Sequence, residues 1–139
     1  MIYGRPFECP ARTRDVTAVR GPLERPLQRS LSRPLFRALA RASLNKLVFF
    51  DAQALANLAW AFATAGNDAE LFAAIAIAAE KKIEKFGPQN LSNTVWAFAT
   101  AGSPEAALFK AVEIRAVQQM PFFTPQQLSN TAWAFATAG

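Results

Sequence analysis

A chain of 139 residues with 52% apolar side chains is long enough to bury one core, which excludes a fully disordered chain. The net charge of +5 is unevenly spread: residues 1–42 hold nine arginines against Glu8, Asp15 and Glu24, whereas residues 43–139 hold six basic and seven acidic side chains. Cys9 is the only cysteine and histidine is absent, so this chain alone builds no disulfide framework, thiolate zinc cluster or histidine-based catalysis.

Residues 1–31 carry Pro6, Pro10, Pro22 and Pro26 among scattered arginines without a sustained apolar period. This composition predicts a disordered basic segment. Three origins fit it: an organelle transit peptide, a linker, or a misplaced gene start. No apolar run approaches the roughly 18 residues of a membrane span, so no membrane partner is expected.

From residue 32 the chain repeats. Trp-Ala-Phe-Ala-Thr-Ala-Gly occurs unchanged at Trp60–Gly66, Trp96–Gly102 and Trp133–Gly139, with spacings of 36 and 37 residues. The same spacing relates Phe36, Phe72 and Phe109, and again Phe50, Phe86 and Phe123. A fixed period of this length marks a repeat architecture. Within each unit, Phe72, Ile75, Ala76, Ala79, Ile83 and Phe86 share one helical stripe, while Lys81, Lys82, Glu84 and Lys85 point away. This pattern predicts B helices over 34–49, 68–85 and 104–120, the first opened by Pro34 and the last closed by Pro121.

Between them lie predicted A helices over 52–65, 88–101 and 125–138. Asp51 and Thr124 suit the cap position, Gly87 is tolerated there, and Pro88 and Pro125 take the first helical position. Gly66, Gly102 and Gly139 are expected to be left-handed stops. Alanine-rich sequence without alternation gives no strand signal. The expected fold is all-α: a right-handed α-solenoid of two-helix repeats of 36–37 residues. The chain closes on an A helix whose Leu128 and Phe135 lack a B helix of their own, which predicts a fragment or a chain completed by a partner.

Each A helix has two faces. Leu55 and Phe62, Leu91 and Phe98, and Leu128 and Phe135 are expected to pack on the B helices. A second stripe recurs as Gln53, Asn57, Trp60, Thr64, as Gln89, Asn93, Trp96, Thr100, and as Gln126, Asn130, Trp133, Thr137. Two accounts fit it. The tryptophans fill the gap between repeats and the amides form a hydrogen-bonded ladder, or the stripe lines a groove in which amides and aromatic edges meet unpaired bases. In a modular code the reading positions vary, and Ala54, Asn90 and Gln127 vary beside the stripe. The candidate RNA-binding residues are therefore Gln53, Asn57, Gln89, Asn90, Asn93, Gln126, Gln127 and Asn130. Trp60, Trp96 and Trp133 join the leucines and phenylalanines above as candidate core.

Pro-Gln-Asn-Leu-Ser-Asn-Thr-Val-Trp-Ala-Phe-Ala-Thr-Ala-Gly and the matching stretch from Pro125 resemble the helical repeats of octotricopeptide and heptatricopeptide proteins. They are also similar to the repeats of FAST-kinase-like, RAP-domain proteins. The resemblance spans residues 32–139. It implies a non-catalytic protein that binds single-stranded RNA in mitochondria or chloroplasts, in RNA processing, stability or translation. It also implies further repeats and a C-terminal RAP domain. The rival expectation is an armadillo- or HEAT-like scaffold gripping an extended peptide; outside the two organelles the expected location is the cytoplasm.

An enzyme is not expected. No glycine-rich phosphate loop is present, and Asp68, Glu70, Glu80 and Glu84 read as surface charges rather than an acid pair; no metal and no cofactor is implied. Lys46, Lys81, Lys82, Lys85, Lys110 and Arg115 all fall on B helices, as solvated outer-wall charges. Phosphate contacts dominate nucleic-acid affinity, so RNA binding by this segment is expected to be weak unless the arginine-rich head contributes.

Overall fold

A computed structural model describes residues 24–66 and 68–139, with side chains described from residue 33 onward. Six α-helices follow one another, and no strand occurs among the described residues: α1 Glu24–Lys46, α2 Ala52–Ala65, α3 Ala69–Lys81, α4 Pro88–Ala101, α5 Ala106–Gln119 and α6 Pro125–Ala138. Each odd-numbered helix runs into a short 3-10 turn, at Leu47–Phe49, Ile83–Lys85 and Met120–Phe122.

The joint from odd to even helix is the same in all three copies. One phenylalanine adopts extended backbone: Phe50 at φ −79°, ψ 131°, Phe86 at −82°, 130° and Phe123 at −74°, 134°. Its ring anchors the joint, and at Phe86 and Phe123 it is buried. The next residue caps the even helix. Asp51 accepts from the Ala54 N–H at 2.8 Å. Thr124 Oγ1 accepts from the Gln127 N–H at 3.2 Å while Gln127 Oε1 accepts from the Thr124 N–H at 2.9 Å, a reciprocal capping box. Gly87 has no side chain to give, so only the return bond forms, with Asn90 Oδ1 accepting from the Gly87 N–H at 3.1 Å.

The helices form two layers. Even helices lie side by side in the order α2, α4, α6, and these two pairs approach each other more closely than any other helices. Odd helices form the second layer in the matching order. An edge-to-face ring pair links the layers once per repeat: Phe36–Phe62 at 5.1 Å, Phe72–Phe98 at 4.9 Å and Phe109–Phe135 at 5.0 Å between centroids. Such pairs contribute about 0.5–1.5 kcal/mol beyond their area burial. Around them Leu55, Leu71, Ile75, Leu91, Val95, Leu108 and Val112 are fully buried.

Comparing equivalent positions shows what closes the even layer. Ala56 and Ser92 are buried but Ser129, in the last even helix, is exposed, so this side of each helix meets the following one. Asn93 and Ala97, and Asn130 and Ala134, are buried, whereas Asn57 and Ala61 in the first even helix are half-buried, so that side meets the preceding one. Small residues on both sides permit the close approach.

Several expected boundaries differ. Helix α1 begins at Glu24, so residues 24–31 are helical rather than disordered, and Pro34 lies inside the helix. Pro26 falls in the first turn, where no N–H is needed, and no glycine interrupts residues 24–46. The expected disorder and targeting role of residues 1–23 fall outside the described residues. Helix α3 starts one residue later than expected because Asp68 is its cap, accepting from the Leu71 N–H at 3.0 Å. Helix α5 starts at Ala106 instead of residue 104, with Ser103 and Pro104 outside it.

Of the expected left-handed stops, only Gly102 is seen in the left-handed region among the described residues, at φ 73°. There the Gly102 N–H donates to Ala99 O at 3.2 Å and the Ser103 N–H to Phe98 O at 3.0 Å, a Schellman closure. Gly66 instead leaves the helix in extended backbone at φ 163°, its N–H donating to Phe62 O at 3.1 Å.

Candidate nucleic-acid interface

The repeated stripe is divided by packing. Its first and last members stay at the surface: Gln53 and Gln126 are exposed, Gln89 is half-buried, and Thr64, Thr100 and Thr137 are exposed. Its middle members do not. Asn93 is 3% and Asn130 1% exposed, because this position faces the preceding even helix; Asn57, which has no such neighbour, is half-buried. Trp96 is 3% exposed between two neighbours, while Trp60 and Trp133 are half-buried on the outer helices. Asn93 and Asn130 therefore line the seams between repeats rather than an open groove.

Asn90 and Gln127, proposed above as discriminating positions, have their side-chain oxygens engaged in capping α4 and α6. The signal for this was present: Thr124 followed three residues later by Gln127 is a capping-box pattern. In the first repeat Asp51 caps from the other side, and Ala54 carries no such group.

Among the candidate core residues, Leu55, Phe62, Leu91 and Phe98 are buried and Phe135 is half-buried. Leu128 is 43% exposed, with no further odd helix packed over it among the described residues. Two buried hydroxyls, Thr94 Oγ1 and Thr131 Oγ1, have no hydrogen-bond partner.

Charge gathers at both ends of the even helices. At their C-terminal ends a cleft of about 620 Å³ is lined by Arg33 and Arg37 from α1, by Thr64 and Thr100, and by Asp68. At their N-terminal ends a smaller cleft of about 390 Å³ is lined by Phe49, Asp51, Gln53, Lys82 and Lys85, among others. Lys82 and Lys85 were expected on the outer wall. They reach this edge because the odd helices end where the even helices begin.

Two cations also hold the joints. Lys82 Nζ donates to Val48 O at 2.8 Å and to Phe50 O, tying the second repeat to the joint of the first. Arg115 Nε donates to Phe86 O at 3.3 Å, the same tie one repeat on. Lys110 pairs with Glu113 at 3.2 Å on the exposed face of α5. Among the described residues, no cluster of His, Cys, Asp and Glu is placed to hold a metal ion, and no helix is long and apolar enough to cross a membrane.

Comparison of the chain with protein-family models, curated proteins and solved structures returns no match.

Proposed function

We propose that this chain is an α-solenoid segment that binds single-stranded RNA without catalysis, in the organelle RNA metabolism suggested by its resemblance to octotricopeptide-type repeats. The even helices approach one another more closely than the odd helices do. The closer-packed layer of a curved stack is its inner wall, and solenoids bind on such walls.

The observation that carries the reading is the cleft where Arg33 and Arg37 border Thr64 and Thr100 of two successive even helices. It joins the arginine-rich head to the repeated polar stripe, which supplies positive charge that the near-neutral repeats lack. Guanidinium groups suit phosphate through their planar donor fork.

Titration of a labelled unstructured RNA at two salt concentrations tests this function. Affinity that falls as salt rises, and that weakens in Arg33→Ala/Arg37→Ala and in Gln53→Ala/Gln126→Ala with helicity unchanged, supports it. The residues mutated are surface residues, since Asn93 is buried and Gln127 caps a helix. Absence of RNA binding at low salt, with capture of an extended peptide instead, would replace RNA with the scaffold function.

A further inference from the structure

We propose that the RNA strand also tracks the edge where odd helices end and even helices begin, with Phe49 and Phe122 as base-stacking platforms and Lys85 between them as a phosphate contact. This inference rests on the RNA function above and places the strand at residues outside the repeated amide stripe.

Phe49, Lys85 and Phe122 occupy one structural position, the third residue of the 3-10 turn in each repeat. Phe49 is 83% and Phe122 73% exposed. The fold does not require these rings, because the phenylalanine that follows each turn position, at Phe50, Phe86 and Phe123, supplies the inward anchor. The middle copy keeps the anchor and replaces the outer ring by a lysine. One position thus presents ring, ammonium, ring across three repeats.

The tips are held rather than loose. The N–H of the anchor phenylalanine closes each turn, Phe50 to Leu47 O at 3.0 Å, Phe86 to Ile83 O at 3.0 Å and Phe123 to Met120 O at 3.1 Å. Lys82 and Arg115 add the ties to the carbonyls of the first two joints. With the turn backbone fixed in this way, only the side-chain torsions of the outer ring are left to order when a base stacks on it.

The cleft beside the first tip assembles the remaining chemistry: Phe49 and Gln53 from one repeat with Lys82 and Lys85 from the next. Ring, amide and ammonium at one place match the components of single-strand binding, in which bases stack on aromatic faces and cations follow the backbone. Neighbouring helices lie about 8–10 Å apart, which suits one base per repeat, as in other helical-repeat readers. Two acids share this edge. The Asp51 carboxylate accepts from the Ala54 N–H, and Glu84 faces Arg115 at 4.0 Å.

The test uses the full chain and a fluorescent oligouridine, by anisotropy at about 50 and 150 mM salt. Phe49→Ala/Phe122→Ala is expected to weaken binding about thirtyfold or more with little change in salt dependence, since two stacking contacts are lost and charge is kept. Lys85→Gln is expected to weaken binding and flatten the salt dependence. Phe49→Trp/Phe122→Trp should retain affinity and gain fluorescence quenching by RNA beyond that of the wild type, a readout that still applies if the alanine variant folds poorly. If the wild type binds and the alanine variant matches it within about twofold, or the tryptophan variant gains no quenching, the edge is not the site while the RNA function stands. If the wild type does not bind, both are overturned.

Discussion

The ring of Phe98 stands edge-on to that of Phe72, with centroids 4.9 Å apart and planes at 88°. Both rings are fully buried. The pair joins the two layers in the middle repeat, and its equivalent closes each outer repeat. Phe98→Ala is therefore expected to cost about 3–5 kcal/mol, enough to lower the Tm markedly. Phe135→Ala, at the half-buried end, should cost clearly less. Thermal melts of the two variants check this, and equal losses would contradict the graded burial.

Lys82 offers a second comparison. Its ammonium holds the carbonyls on both sides of Phe49, across the boundary between repeats. Lys82→Met keeps the stem and removes the donors, so a loss of about 1.5 kcal/mol is expected, at the low end for hydrogen bonds to a charged group because the site is partly exposed. Urea denaturation gives the value, and hydrogen exchange should show faster opening around Leu47–Asp51.

Two glycines should respond with opposite signs. Gly102 sits at φ 73°, where an added Cβ is strained although nothing crowds it. Gly102→Ala is expected to cost about 1–2 kcal/mol. Gly66 is extended and open around its Cα, so Gly66→Ala should be neutral or stabilising by about 0.4–1 kcal/mol through reduced freedom of the unfolded chain. Chemical denaturation of both variants decides the matter.

The unpartnered hydroxyl of Thr94 is fully buried. The equivalent residue of the first repeat is Leu58, already apolar. Thr94→Val removes a buried group with nothing to bond, so a gain of about 1 kcal/mol is expected. A lower Tm would mean that the hydroxyl is satisfied in solution.

Much of this architecture is written in local chemistry. Alanine-rich segments of helical period, without alternation, specify an all-α chain. Phe36 and Phe62, and their copies at one spacing, carry the contacts between layers. Pro88 and Pro125 mark where helices start, as does Thr124 through its hydroxyl.

The asparagine placement was not legible in the same way. Periodicity puts Asn93 on a defined side of α4, but its burial depends on how near α2 comes, and that depends on residues of two helices at once. Gly66 and Gly102 end identical heptapeptides yet adopt different backbones, because the segments that follow differ. The exposed edge was hidden by the double phenylalanines, Phe49–Phe50 and Phe122–Phe123, of which the core uses one each. Asn90 and Gln127 vary from repeat to repeat because the cap residue before each of them varies, a pattern that resembles a reading code in the sequence.

Ala97 and Ala134, both fully buried, put only methyl groups into the seams between even helices. Those methyls fix how tightly the even layer closes. A leucine at either position would wedge that seam open, with every cap and ring pair still in place. The interval at which successive even helices offer their side chains is therefore tunable by single substitutions inside these seams.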